Sequence, residues 1–369
     1  MASAAGNRAK GGPHLNMNAP PPAHSPVAVY ALTHEGARLA SRLSTSLPGD
    51  LYLHEGKALH LPAARFTSLA ETVQATYAGY SAHVFVTAAG IAVRSIAPLL
   101  QGKERDPAVV VLDQSGQFVI SLLSGHLGGA NELARRIASL IGACPVITTA
   151  TDSAGLTAVD ELARQKGFLL ANPGAVRTLN GALLEGRLIR ACDPENRLGW
   201  SEGAPHGYRA RFVSRPEELP LGQPGLSVSW RAEEPQDEAC HLLLRPRCLV
   251  VGLGCHPGAP VSEILGLIAS VFAEHGLSQA SIACLTSTTR RQNEPGLAQA
   301  ARALQVPFIC VEHDTLCSVQ VPNPSPHVKK HLGVDGICEA SAMIQAGQGK
   351  LLVTKTKGRN TTLAVALAK

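Results

Sequence analysis

Aromatic residues are scarce in this 369-residue chain: two Trp, five Tyr and seven Phe make up 4% of it. Alanine, valine, leucine and glycine carry the apolar content instead. Small side chains let helices lie close on a sheet, so the shortage points to α/β layers. No apolar run is long enough to span a bilayer, which argues against a membrane protein. There is no Lys/Arg-rich block and no basic stretch interleaved with aromatics, and the formal charge is only +5. Nucleic acid is therefore not an expected partner, whereas a small polyanion is allowed. None of the nine cysteines forms a CxxC pair, and their number is odd. Neither a disulfide framework nor a zinc site is implied, and the thiols read as buried groups of a reducing compartment. The phosphate-binding P-loop pattern is absent. Residues 1–26 lack the apolar core of a signal peptide and are rich in Ala, Asn, Gly and Pro; they read as a disordered tail on a cytoplasmic protein.

What is present suits a folded enzyme of several domains. A hydrophobic content of 45% fills a sizeable core, and the length suggests roughly two or three domains. A strand at 27–32 leads to a helix near 36–43. A second strand at 83–87 passes through Ala88-Ala89-Gly90 into a helix at 91–100. Residues 108–112 and 117–123 read as strands of a hairpin turned by Asp113-Gln114-Ser115-Gly116. Beyond the loop Ser124-Gly125-His126-Leu127-Gly128-Gly129-Ala130-Asn131, residues Leu133, Ala134, Ile137, Ala138 and Ile141 share one helical face, with Arg135 and Arg136 on the solvated side. A strand follows at 144–149. These pieces predict a layered α/β domain over 27–156, with mixed strand directions.

The pattern weakens over 157–246. Two short helices and a turn at Asn172-Pro173-Gly174 precede a charged, Pro-rich stretch that holds both tryptophans; the expectation is a small middle domain of irregular loops and linker. Regular alternation resumes at 248–252. Strands near 281–285, 306–311 and 350–354 alternate with helices at 261–275, 296–304 and 336–345, and 361–368 is a further strand or a short helix. The region 247–369 is thus expected to be a doubly wound, mostly parallel sheet.

Three strand-to-helix junctions are glycine-rich: 88–90, 124–131 and 252–258. Any one of them can be a simple tight turn. Three together suggest a cleft beyond the carboxyl ends of strands, where helix starts favour carboxylates. A dinucleotide site at Gly252, Gly254 and Gly258 is rejected: the spacing is GxGxxxG, Pro257 sits in the turn, and the next strand ends in Thr286 and Ser287 rather than an acid.

Within these junctions His126 is the candidate general acid/base, its alternative being a histidine that bonds only its own loop. Ser124 is a candidate nucleophile or a loop-capping hydroxyl, and Asp152 a water-activating carboxylate or a helix cap. Arg94 and the Arg290-Arg291 pair suit carboxylates. The adjacent Cys255-His256 has the wrong reach for a chelate, so no metal site is expected.

Several long runs resemble the cobalt-precorrin-5A hydrolase (CbiG) family. They are Ala89-Gly90-Ile91-Ala92-Val93-Arg94, Asp106-Pro107-Ala108-Val109-Val110, the stretch 122–134 and Val146-Ile147-Thr148-Thr149-Ala150-Thr151-Asp152. The C-terminal third resembles the CobE/CbiG domain through Gly252-Leu253-Gly254-Cys255, Asn293-Glu294-Pro295-Gly296-Leu297, Gly333-Val334, Glu339-Ala340-Ser341-Ala342 and the tail containing Lys355. His256-Pro257 and Arg290-Arg291-Gln292 stand where the family tends to have other basic residues. The resemblance implies opening of the ring-A δ-lactone of cobalt-precorrin-5A, release of acetaldehyde and formation of cobalt-precorrin-5B. It implies no resident cofactor, because cobalt arrives within the substrate, and passing contact with other corrin-pathway enzymes. On this basis His126, Ser124 and Asp152 are the expected catalytic residues. Gly90, Arg94, Gly128, Gly129, Asn131, Gly254, Cys255, Glu294 and Lys355 are expected to bind substrate, with the Gly128 and Gly129 amides as oxyanion donors. The alternative is a CobE-like carrier that binds corrinoid intermediates without turning them over.

Overall fold

The computed structural model describes residues 27–57, 62–102, 105–126, 128–200, 203–325 and 333–368; the expected tail at 1–26 lies outside them. The chain divides into two units, 1–155 and 156–369.

The first unit is built on seven strands: β1 Val27–Ala31, β2 Gly49–His54, β3 Ala64–Phe66, β4 Ala82–Val86, β5 Ala108–Leu112, β6 Phe118–Leu123 and β7 Cys144–Val146. Their order is β3-β2-β1-β4-β5-β6-β7. Every residue of β1, β4 and β5 is buried, as expected of parallel strands covered on both faces. Val27, Val29 and Ala31 pack beneath helices His34–Ser46 and Ala130–Ile141. Ala28 and Tyr30 point the other way, into a core shared with helices Leu69–Thr76 and Ala89–Ile96. All neighbours in this sheet are parallel except β5 and β6, which form the antiparallel hairpin expected from the sequence.

The second unit holds two sheets. The stretch expected to be irregular contains five strands: β8 Phe168–Leu170, β9 Leu188–Cys192, β10 Arg209–Phe212, β11 Gly225–Val228 and β12 His241–Pro246, in the order β10-β9-β11-β12-β8. Leu179, Leu183, Ile189, Leu226, Leu242 and Trp200 make its core. The strand β12 is buried throughout although it carries His241 and Arg245. Arg245 is satisfied by the backbone carbonyls of Ser229, Arg231 and Glu233, so burial there is compatible with charge.

The last sheet consists of β13 Leu249–Cys255, β14 Ile282–Thr288, β15 Phe308–Val311, β16 Lys350–Lys357 and β17 Thr361–Leu367, ordered β15-β14-β13-β17-β16. Strands β13, β14 and β15 are parallel; β17 runs antiparallel to both β13 and β16. Helices Val261–Glu274 and Pro295–Ala303 cover one face. Helix Ile337–Gln345 crosses the other so closely that a Cβ on Gly252 would lie 1.9 Å from the Cys338 carbonyl oxygen. Gly252 is therefore a packing residue of this sheet.

Candidate active site

The loop after β6 turns sharply. Ser124 has a φ of 57° and Gly129 one of 83°, the left-handed region that glycine enters freely and serine rarely. Ser124 is held there by its own hydroxyl, which donates to the Asp106 carbonyl at 2.9 Å. A Cβ on Gly128 would stand 2.4 Å from the Ser124 Cβ, so the turn closes only with glycine at that position. Ser124 thus fastens the loop; with its hydroxyl proton given to a carbonyl, it is not placed as the nucleophile expected from the sequence.

His126 projects from this loop onto the short helix Ala150–Ser153, where its Nε2 lies 3.0 Å from the Asp152 carboxylate and 3.2 Å from the Thr151 hydroxyl. Both partners of the His126–Asp152 pair are largely shielded from water. Asp152 also accepts from the Asn131 amide at 2.9 Å, from the Thr149 hydroxyl and from Arg135. Burial pushes the Asp152 pKa up, but the bonds from Thr149, His126 and Arg135 outweigh it and hold the carboxyl below its usual range. An acid held ionised in this way is a poor proton acceptor from water. It is well suited to orient an imidazole and to stabilise its protonated form.

Three expectations change here. Asn131 was expected on the substrate, yet it is buried. Its side-chain oxygen accepts from Ser121 at 2.7 Å, and its amide donates to Thr149 and Asp152; it positions Asp152. Arg135 was read as a solvated helix residue, but it pairs with the same carboxylate. The amide of Gly129 donates to the His126 carbonyl, and those of Ala130 and Asn131 to the carbonyls of Ser124 and Gly125. The expected oxyanion donor at Gly129 is thus spent inside the loop.

Strand direction separates the other expected residues of this unit. Because β6 runs antiparallel to β5, the His126 loop lies at the amino ends of β4 and β5, as its bond to Asp106, just before β5, requires. Gly90 starts the helix at the carboxyl end of β4, and Arg94 folds back to donate to the Gly90 carbonyl at 3.1 Å. Gly90 and Arg94 therefore face the opposite end of the sheet. The cleft expected from the glycine-rich junctions does not bring them to His126.

In the second unit, the carboxyl end of β13 opens into a cavity of about 660 Å³. It sits where the strand order reverses between β13 and β17, the usual ligand position in an open α/β sheet. Gly254, Cys255 and Lys355 line it, together with His256, Arg290, Arg291, Lys357 and Arg359. Burial pushes the Cys255 thiol up to about 11, with Arg291 opposing that rise and Glu294 adding to it, so it lines the wall as a neutral thiol. Glu294 accepts from the Gly258 amide at 3.0 Å and lies 3.8 Å from Arg291. It braces the turn rather than forming the cavity wall.

The hairpin of β16 and β17 is clamped from both sides. Glu263 accepts from the amide and side chain of Asn360, and fully buried Glu339 accepts from the Lys355 amide at 2.9 Å and from Asn323. Sequence reasoning found Lys355 but missed Lys357 and Arg359. Lys355 and Lys357 have the period of one face of a strand, and Arg359 continues that spacing into the turn; this was the available signal.

Family models cover most of the chain: "Cobalamin synthesis G N-terminal" matches residues 71–152, "Cobalamin biosynthesis central region" 157–246 and "Cobalamin synthesis G C-terminus" 249–366. A cobalt-precorrin-5A hydrolase of Salmonella typhimurium is 34% identical over 345 residues, covering 93% of this chain and 97% of the relative. The chain belongs to the cobalt-precorrin-5A hydrolase family. A second hydrolase of that name, from Priestia megaterium, is 30% identical over 92% of this chain and 94% of the relative. Protein CobE of a Sinorhizobium species is 31% identical over 121 residues, 32% of this chain and 79% of that protein. No helix among the described residues is long and apolar enough to cross a membrane.

Proposed function

We propose that the chain hydrolyses cobalt-precorrin-5A, opening the ring-A δ-lactone and releasing acetaldehyde to give cobalt-precorrin-5B. Full-length similarity to hydrolases of this name supports the reaction. The observation that carries the mechanism is the His126–Asp152 pair. With Nε2 donating to Asp152, the Nδ1 nitrogen is the basic one and takes a proton from water as it attacks the lactone carbonyl. Hydrolysis leaves a carboxylate and a secondary hydroxyl. Loss of the hydroxyl proton lets the carbon–carbon bond to the macrocycle break, its electron pair going to the ring and the two carbons leaving as acetaldehyde. Asp152 stabilises the imidazolium formed at each proton transfer.

Cobalt enters as part of the substrate, so this reading gives the protein no resident cofactor. All nine cysteines are free thiols, which supports a cytoplasmic enzyme. A CobE-like carrier is the second reading, favoured by the CobE match, but that match spans about a third of the chain and leaves the His126–Asp152 pair without a task. Acetaldehyde release from cobalt-precorrin-5A by the purified protein tests the proposal, with His126→Ala expected to lower kcat at least about 100-fold. A His126→Ala protein turning over at the wild-type rate refutes the role of His126, and a wild-type protein that binds substrate without releasing acetaldehyde refutes the reaction.

A further inference from the structure

We propose that the cavity at the carboxyl end of β13 is a two-bank anion site that grips a rigid polycarboxylate by opposite edges. Five cationic side chains line it: Arg290 and Arg291 after β14, and Lys355, Lys357 and Arg359 on the β16–β17 hairpin. No described residue lining the cavity is a carboxylate. Three acids behind it are engaged with the protein, Glu294 on the Gly258 amide, Glu263 on Asn360, and Glu339 on Asn323 and the Lys355 amide. The formal charges of the described lining are therefore all positive, and the walls concentrate their field on an anion.

Arg290 and Arg291 follow the end of β14, Lys355 and Lys357 lie on β16 three places away in the sheet, and Arg359 lies in the turn between β16 and β17. At the normal spacing of neighbouring strands, β14 and β16 are about 14 Å apart. A compact anion engages both banks only where long side chains bend inward from each and are ordered there, which costs conformational entropy. A planar macrocycle with carboxylate arms around its rim reaches both, and two-point attachment multiplies affinity without any new type of contact. The clamps on the hairpin fix the Lys355–Arg359 bank before ligand arrives, which lowers the ordering cost of binding. This inference deepens the reading above by assigning carboxylate capture to a site apart from the His126 loop in sequence. It rests on that reading only in taking a tetrapyrrole as the occupant.

The test is fluorescence titration of the full chain with uroporphyrin, a tetrapyrrole with eight carboxylates that this chemistry does not consume. Binding is expected to weaken as salt rises, and to weaken about tenfold or more in Arg290→Ala/Arg291→Ala and in Lys357→Ala/Arg359→Ala. Citrate, a compact tricarboxylate, is expected to displace it only at far higher concentration. Full affinity in either double variant, or citrate binding as tightly as uroporphyrin, overturns the two-bank site. Acetaldehyde release by a wild-type protein that ignores uroporphyrin also overturns it while leaving the proposed reaction intact. Uroporphyrin binding with the expected variant losses, in a protein that releases no acetaldehyde, supports the site and removes the reaction instead.

Discussion

Replacing Asp152 by Asn isolates the electrostatic part of the proposed mechanism. The side chain keeps its shape, but its charge disappears and one oxygen becomes an NH2 group. In the wild-type protein, Oδ2 takes the bonds from His126, Asn131 and Thr149, while Oδ1 faces Arg135. If Asn keeps its oxygen toward His126, its NH2 group meets the Arg135 guanidinium, donor against donor. If it flips, the NH2 group meets His126 and Asn131 instead. At least one bond is lost, two or more if the amide flips, and the rest weaken from charge-assisted to neutral, costing about 1–3 kcal/mol of stability. The catalytic cost is larger in proportion, because the imidazolium of His126 loses its counter-charge. We expect kcat to fall about 100-fold, or about 2.7 kcal/mol, with KM changed much less because Asp152 is spent on protein groups. The assay is acetaldehyde release at saturating cobalt-precorrin-5A, at a temperature where the variant is folded. Arg135→Ala is the companion: it leaves the His126–Asp152 bond in place and is expected to cost less than about tenfold. An Asp152→Asn enzyme with wild-type kcat, or an Arg135→Ala enzyme as damaged as Asp152→Asn, refutes the orienting role.

Two further outcomes test the fold around the sites. Gly252→Ala forces a Cβ to within 1.9 Å of the Cys338 carbonyl oxygen, and is expected to destabilise the second unit by about 3 kcal/mol in chemical denaturation; unchanged stability means that helix Ile337–Gln345 does not lie where described. His83 is fully buried, bonded to the Tyr30 hydroxyl at 3.0 Å and the Tyr77 carbonyl at 3.1 Å, and burial lowers its pKa from 6.5 to about 4, partly opposed by the Tyr77 bond. Between those values the unfolded chain binds a proton that the folded chain refuses. Stability therefore falls by about 3 kcal/mol as pH drops from 6.5 to 4. His83→Gln removes that slope, and denaturation curves with the same pH dependence in both proteins contradict the assignment.

The layered α/β character was legible because strands buried on both faces leave continuous apolar runs, such as those of β1, β4, β5 and β13. The middle sheet was not. Its strand β8 has three residues and β10 four. Its longest strand, β12, hides His241 and Arg245 in a core where charge normally argues against a strand. The burial of Arg245 depends on carbonyls from the loop after β11 and that of His241 on the Pro220 carbonyl before it, tertiary arrangements with no local signature. The same limit applies to the site. His126 and Asp152 stood out in the sequence as separate candidates, 26 residues apart, but nothing local showed that they meet. Nor was it visible that Asn131 and Arg135, one turn apart on a helix, converge on one carboxylate.

Glycine-rich turns also look alike at either end of a sheet. The junctions at 88–90, 124–131 and 252–258 were read as one kind of feature because each follows a strand and precedes a helix. The position of such a junction depends on the direction of its strand. A single antiparallel step, β5 to β6, carries the His126 loop to the amino ends of its parallel neighbours. The turn that makes this step, Asp113-Gln114-Ser115-Gly116, was readable as a hairpin, with the Asp113 side chain accepting from the amides of Ser115 and Phe118. A hairpin reverses the chain, so the separation of His126 from Gly90 and Arg94 follows from the turn itself once its consequence for the sheet is drawn. The β13 junction has no reversal before it and opens where parallel strands normally offer ligands a crevice. On strand direction alone, the usual rule for ligand position thus applies to Gly254, Cys255 and the cations beside them, whereas the proposed chemistry at His126 rests on the side-chain pair it makes.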